Sequence, residues 1–343
     1  MAALLLFYVN IAAAARSGDA KRVFILHSYD LAHICGAPQH LGILQALEDE
    51  GYRVGANLRL EVFALDTKCA DSSSERIARR TALARKRIEA FHPDVLVTLD
   101  DNAFLAVGLA YAGTSLPVVF SGLNGQPEDY DREHEWMDTR AHPGGNITGV
   151  YEQLHFVDAV RVQRRILPNL RKILMFSDTS VTGKALERQV QLEMEREKLP
   201  CAFELVVVRS WEEYRREVLR ASADPGVDTI YPAALLLRDA SGRSRTAEEI
   251  LRWTVRHSKK PMIPINYSFA SLGVLGGAGV DFESMGRQAG ALVVRILRGA
   301  APGDLPIEDA RRYALVFNLN RARELGVVIP DDILMAADEV YRD

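Results

Sequence analysis

The chain has 343 residues, of which 48% are hydrophobic and 26% charged, and a net charge of −4. That length suggests two domains, with a composition able to bury sizeable cores. The weakly acidic balance favours neither nucleic acid nor an anionic membrane as partner.

Met1 to Ala15 is almost wholly apolar and ends Ile11-Ala12-Ala13-Ala14-Ala15, ahead of Arg16-Ser17-Gly18-Asp19. The run is too short to span a bilayer. It fits a secretory h-region cut after about Ala15, which predicts a periplasmic or extracellular protein and makes 1–20 a signal peptide plus the start of the mature chain. No Lys or Arg precedes the run, so a buried N-terminal helix or an upstream start stays open as an alternative. Cys35, Cys69 and Cys201 show neither Cys-x-x-Cys nor zinc spacing, so no structural metal is expected. No cysteine at the cleavage site argues against a lipid anchor.

Val23–Leu26 is a short apolar run, read as a first buried parallel strand. A helix follows at about 39–50, closed by Gly51. Leu58–Phe63 is strand two, and Asp71-Ser72-Ser73-Ser74-Glu75 carries capping chemistry for a helix to about 90. Pro93–Thr98 is strand three, 101–111 a short helix, and 118–120 strand four. After an irregular stretch a second series begins. It comprises a helix at 156–167, strand 172–176, helix 182–198, strand 203–208, helix 211–221, strand 227–231, helix 246–258 and strand 262–265. Gly273–Asp281 reads as a glycine-rich extended crossing. A helix at 284–297, a strand at 313–317 and a short helix at 321–325 complete the pattern. This alternation predicts an α/β protein of two doubly wound parallel-sheet lobes with right-handed crossovers, joined by extended crossings around a cleft that can hinge.

Ligands in such sheets bind beyond the carboxyl ends of the strands. That rule selects Ser28, Tyr29 and Asp30 after strand one, and Lys68, beside Asp66 and Thr67, after strand two. It adds Thr98, Asp100 and Asn102 after strand three, with helix capping by Asp100 or Asp101 as the plainer alternative, then Ser121 and Gly122. The second lobe offers Ser177, Asp178, Thr179, Tyr231, Asn266 and Tyr267, and Asp281 lies on a crossing. Carboxylates, one lysine, hydroxyls and aromatic faces together suit a zwitterion. The basic run Arg76–Arg87 reads as a solvated helix face. The eight histidines are scattered, and His33 with His40 makes a poor metal site.

Catalytic signatures are absent: no Gly-x-Ser-x-Gly, no His-Glu-x-x-His and no phosphate loop. No enzyme activity, cofactor or metal is therefore expected.

Several segments resemble the ABC transporter substrate-binding protein family, of the type I periplasmic binding fold, including its tryptophan-binding members. These are Pro93–Thr98, Leu116–Ser121, Pro143-Gly144-Gly145-Asn146-Ile147-Thr148-Gly149-Val150, Leu167-Pro168-Asn169, Gly279-Val280-Asp281 with Gly286-Arg287-Gln288-Ala289, and Asn318-Leu319. The likeness runs over about 21–330, and the Gly-Gly-Asn-Ile-Thr-Gly block is its most specific part. It implies a three-crossing hinge. Lobe one would be 21–121 plus 281–303, lobe two 146–277 plus 304–343, and the hinge 122–145 and 278–280. It also implies capture of an amino acid or similar zwitterion by a monomer that delivers it to an ABC permease. The first loop, His27-Ser28-Tyr29-Asp30, is more similar to extracytoplasmic sensor domains of the same family, which makes a membrane sensor the alternative partner. An α/β enzyme using the same cleft is a further alternative, and would need a nucleophile–base pair. A ligand-responsive intracellular regulator fits less well, because no DNA-binding helix-turn-helix precedes the core. Cys35 and Cys69 follow neighbouring strands in a 2-1-3 sheet order, so a disulfide between them is expected, with Cys201 free.

Overall fold

The computed structural model describes residues 20–68 and 73–342. The signal-peptide reading of 1–15 therefore lies outside the described residues, as does Cys69 of the expected disulfide. Cys35 is a free, half-buried thiol.

The first sheet is built from β1 (Lys21–His27), β2 (Leu58–Ala64), β3 (Val95–Leu99), β4 (Val118–Leu123) and β5 (Ile147–Tyr151), with a two-residue β12 (Glu308–Asp309) at its edge. All pairings are parallel, in the order β2-β1-β3-β4-β5-β12. Continuous apolar strands are needed because both faces are covered. Val23, Ile25, Val95 and Val97 point to one face and meet Ile43 and Leu47 of α1 (Gly36–Asp49). Phe24, Leu26, Leu96 and Phe120 point to the other and meet Ala84 and Ile88 of α2 (Ser74–Phe91) and Phe104 of α3 (Asp100–Ala106). The first face is completed by α9 (Phe282–Leu297), which lies against α1. Gly42, Gly286 and Gly290 sit where these two helices cross; a Cβ on Gly286 would overlap the Gln39 carbonyl.

In the basic run of α2, Arg79, Arg85, Lys86 and Arg87 are exposed, as expected of a solvated face, while some of its arginines also bond the first sheet. Arg76 bonds the Asp66 carbonyl at 2.8 Å and its carboxylate at 2.5 Å, Arg80 bonds the Ala64 carbonyl at 2.9 Å, and Arg87 pairs with Glu61 at 2.7 Å.

The second lobe has a parallel trio β7-β6-β8, made of β6 (Lys172–Asp178), β7 (Ala202–Val208) and β8 (Thr229–Pro232). Around it lie α5 (Phe156–Ile166), α6 (Val181–Arg196), α7 (Trp211–Ala223) and α8 (Ala247–His257). A further trio, β11 (Gly276–Val280), β13 (Tyr313–Asn318) and β14 (Glu339–Tyr341), has β11 antiparallel to β13. The predicted strand 262–265 is only a bridge between Met262 and Ile230. Pro261 and Pro264 lack the donors a ladder needs, yet the segment still links the trios, since Ile263 N donates to the Ile230 carbonyl and Val280 N to the Ile265 carbonyl.

Three expectations are corrected by strand pairing. Asn146–Val150 does not open the second lobe, because β5 completes the first sheet beside β4. Residues 278–280 are strand rather than hinge, and 308–309 still belong to the first sheet. The chain passes between the sheets at 152–155, at Asp281 and at 310–312. The first and third passages lie side by side: His155 Nε2 is 3.1 Å from the Ala310 carbonyl, and Ala310 N donates to the Tyr151 carbonyl. No helix among the described residues is long and apolar enough to cross a membrane.

Candidate functional site

A cavity of about 410 Å³ opens between the lobes. The first lobe contributes Asp30, His33, Cys35 and Lys68; the second contributes Leu235, Leu236, Glu248 and Phe269. An adjoining cavity of about 150 Å³ shares Lys68, Leu235 and Leu236 and runs to Asn102, Asp178 and the start of α6 at Val181–Gly183. Side chains bridge the lobes around it. Asn266 Nδ2 donates to the Ile34 carbonyl at 3.3 Å and lies 3.6 Å from Cys35 Sγ. Gln189 of α6 donates to the Asn124 carbonyl at 3.0 Å.

The first-lobe wall carries Asp30 and Lys68, across from Glu248 of the second lobe. Lys68 Nζ stands 3.9 Å from the centroid of the Tyr29 ring, a cation–π contact. Asp100 is 2% exposed and opens α3 with φ +63, a left-handed conformation uncommon outside glycine. Its Oδ1 accepts from Gln39 Nε2 at 3.1 Å, while the buried Oδ2 has no partner. Burial pushes the Asp100 carboxyl up to about 7, against the pull of Lys68. Glu152, 3% exposed at the start of the first passage, is driven well above the ordinary carboxylate range by burial and by the Asp100 and Asp101 charges. Burial likewise holds His33 down at about 3, so it faces the cavity as a neutral ring. Strongly shifted groups beside a cleft are candidates for a functional site.

The predicted residues divide by what their atoms already do. Asp30, Lys68 and Asn102 line the cavities, with Asn102 Nδ2 donating to Thr67 Oγ1 at 2.8 Å; Tyr29, under the Lys68 ammonium, and Asp100 and Gly122, beside Gln39, are buried and line neither cavity. Ser28 is committed to the framework: its hydroxyl donates to the Leu99 carbonyl and accepts from Ala103 N. Thr98 faces Gly108 beneath α3, and Ser121 is fully buried. Ser177 donates to the Gly183 carbonyl, and Asp178, although it lines the smaller cavity, accepts from the backbone N–H groups of Ser180, Leu235 and Leu236. Tyr231 packs edge-on to Phe156 in the core. Asn266 bridges the lobes. Thr179, Tyr267 and Asp281 are not on either cavity wall; Asp281 instead caps α9, accepting from Ser284 N at 2.9 Å and from its hydroxyl at 2.6 Å.

Reasoning from strand ends missed the Leu235-Leu236 pair and Phe269, which line the cavity. The start of α8 carries a capping box, Thr246 with Glu249, which marks a helix N-terminus at the cavity. No group of three or more His, Cys, Asp or Glu side chains among the described residues is arranged to hold a metal.

Residues 33–341 match the profile of the ABC transporter substrate binding protein family. A tyrosine-binding protein of Clostridioides difficile (strain R20291) is 22% identical over 291 residues, covering 83% of this chain and 76% of that protein. The ABC domain from Streptococcus pneumonia solved in complex with L-Trp aligns with TM-score 0.70 at 23% identity, over 94% of this chain and 99% of that one. The ligand-free, open structure of a substrate binding protein with adhesive properties from Clostridium difficile aligns with TM-score 0.69 at 16% identity, over 94% and 100%. These solved structures share the fold.

Proposed function

This chain belongs to the ABC transporter substrate binding protein family, and from that premise we propose that it captures an aromatic amino acid between its lobes and delivers it to an ABC permease. The carrying observation is the cavity of about 410 Å³ whose walls come from both lobes and combine Lys68 with the apolar surfaces of Leu235, Leu236 and Phe269. Such a cavity holds a small ligand with a few fixed polar contacts. The Lys68 ammonium is suited to the ligand carboxylate, and the unpartnered Asp100 Oδ2 to its ammonium. The ligands named for the relatives, tyrosine and L-Trp, support the aromatic class. A ligand touching both lobes binds the closed form better and so shifts the hinge toward it.

Titration calorimetry with the twenty amino acids is expected to give binding by tyrosine, tryptophan or phenylalanine, with the ligand recovered unchanged. Silence from all twenty would sink the amino-acid reading, and a chemically altered ligand would favour an enzyme. The reading also requires export. Protein from a secretion-competent host is expected to begin near Arg16 by N-terminal sequencing, and a full-length cytoplasmic product would argue against it.

A further inference from the structure

Lys68 lines both cavities, and it is held there without an anion. Its Nζ stands 3.9 Å from the centroid of the Tyr29 ring. No carboxylate among the described residues comes within salt-bridge distance of it. A carboxylate partner would cancel the ammonium charge. An aromatic face attracts the ammonium through its quadrupole and adds no charge of its own, so the full positive charge stays free to meet an anion.

The ring is itself fixed. Tyr29 is 3% exposed and packs on His33, with ring centroids 4.2 Å apart and planes tilted by 44°. Cys35 N donates to His33 Nδ1 at 3.3 Å, and His33 N donates to the Asp30 carbonyl at 3.2 Å. A backbone N–H can only donate, so Nδ1 carries no proton. Burial and the Lys68 charge keep this imidazole neutral, with its value held down at about 3. A charged imidazolium here would compete with Lys68 for the same aromatic ring. The loop that carries Lys68 is tied to the loop of Tyr29 as well, because Thr67 donates to the Ser28 carbonyl from its N at 3.0 Å and from its hydroxyl at 2.9 Å.

Without the ring, the ammonium has carboxylates to turn to. Asp30 lines the larger cavity and Asp178 the smaller one, and the flexible four-carbon stem of a lysine lets its head group reorient. Pairing with either acid would neutralise the charge that a ligand carboxylate needs.

Resting on the amino-acid reading, we propose that Tyr29 is a positioning residue for ligand recognition: its ring face holds the Lys68 ammonium uncompensated at the cavity, and the ammonium there selects ligands that bring a carboxylate. Tyr29 lines neither cavity and acts through Lys68. The ligand class follows from the charge. Aromatic α-amino acids are accepted, and the corresponding amines, with the same ring and ammonium but no carboxylate, are rejected. The Tyr29 hydroxyl takes no part.

The test is calorimetry of L-tyrosine against tyramine, with L-tryptophan against tryptamine in their place if the protein prefers tryptophan. Wild type is expected to bind the amine at least about 10-fold more weakly than the amino acid. Tyr29→Phe keeps the ring face and is expected to bind the amino acid within about 3-fold of wild type. Replacing Tyr29 by pentafluorophenylalanine keeps the shape of a phenyl ring but removes the negative face, and is expected to weaken the amino acid about 10-fold relative to Tyr29→Phe. Binding of the amine, or its failure to bind detectably, is expected to be the same in all three proteins. Equal wild-type affinity for amine and amino acid, a large loss already in Tyr29→Phe, no loss on fluorination, or an equal loss for amine and amino acid would each overturn the inference while leaving amino-acid capture intact. Failure of wild type to bind any amino acid would overturn that reading and the inference together.

Discussion

Replacing Asp100 by asparagine is expected to make the protein more stable above neutral pH and a poorer binder. The native carboxyl titrates at about 7, against about 3.9 in an unfolded chain. Because the native value is raised, the folded state keeps a proton that the unfolded chain loses between about pH 4 and 7. The stability linked to that proton is present below pH 4 and is lost as pH rises through 7. Asparagine has no such proton, keeps the acceptor for Gln39 Nε2, and tolerates the left-handed backbone at φ +63. At pH 8 Asp100→Asn should therefore gain on the order of 2 kcal/mol by denaturant titration, and at pH 4 almost nothing. Affinity for an amine-bearing ligand should fall by about 2 kcal/mol, roughly 30-fold, the scale of a lost charged hydrogen bond. Equal stability at pH 8 and pH 4, or undiminished affinity, would contradict this account. A residue that destabilises the fold in order to bind is the usual exchange between stability and activity.

The second large effect is expected from Gly286→Val. At this crossing the α1 backbone lies where a side chain on α9 would have to go, and the atom it meets is the Gln39 carbonyl, which cannot rotate away. The helices must separate, uncovering Ile43, Leu47, Leu292 and Val293 along one face of the first sheet. A cost of about 3 kcal/mol or more follows from overpacking against backbone, read as a shift of the denaturation midpoint. The disturbance also reaches Gln39, so ligand affinity should fall with stability. A midpoint within about 0.5 kcal/mol of wild type would mean the crossing is looser than its geometry implies.

Much of the architecture was legible because parallel strands covered on both faces write themselves as runs such as Val23–Leu26 and Val95–Val97. The start of α2 followed from the capping run around Ser73. The lobe boundary was missed for a physical reason: β5 is as apolar as any strand, and only its pairing with β4 says which sheet owns it. The same holds for β11, whose glycines suggested an open crossing. A Cβ on Gly276 would overlap the Val316 carbonyl, so these glycines allow close backbone approach to β13. Strand-end logic singled out Lys68, which stands on the cavity wall, and Asp100, which is buried with an unbonded oxygen. It also collected Ser28, Ser177 and Asp178, whose hydrogen-bonding capacity is consumed by neighbouring backbone. Sequence position shows that a polar group stands near a cleft, and only the geometry shows whether that group is still unbonded.

The helix α9 packs on α1 although it begins some 230 residues after α1 ends, and this sets an order in time. The sheet trio β7-β6-β8 and its helices are contiguous, from Phe156 to His257, and can assemble as soon as that stretch of chain is available. The first lobe, though its strands come earlier, lacks the helix that covers Ile43 and Leu47 until residue 297 has arrived. Closing so long a loop is slow. A chain emerging N-terminus first would thus hold its earliest strands uncovered the longest, and the half of the cleft that carries Lys68 would stay unfinished until residue 297 has arrived.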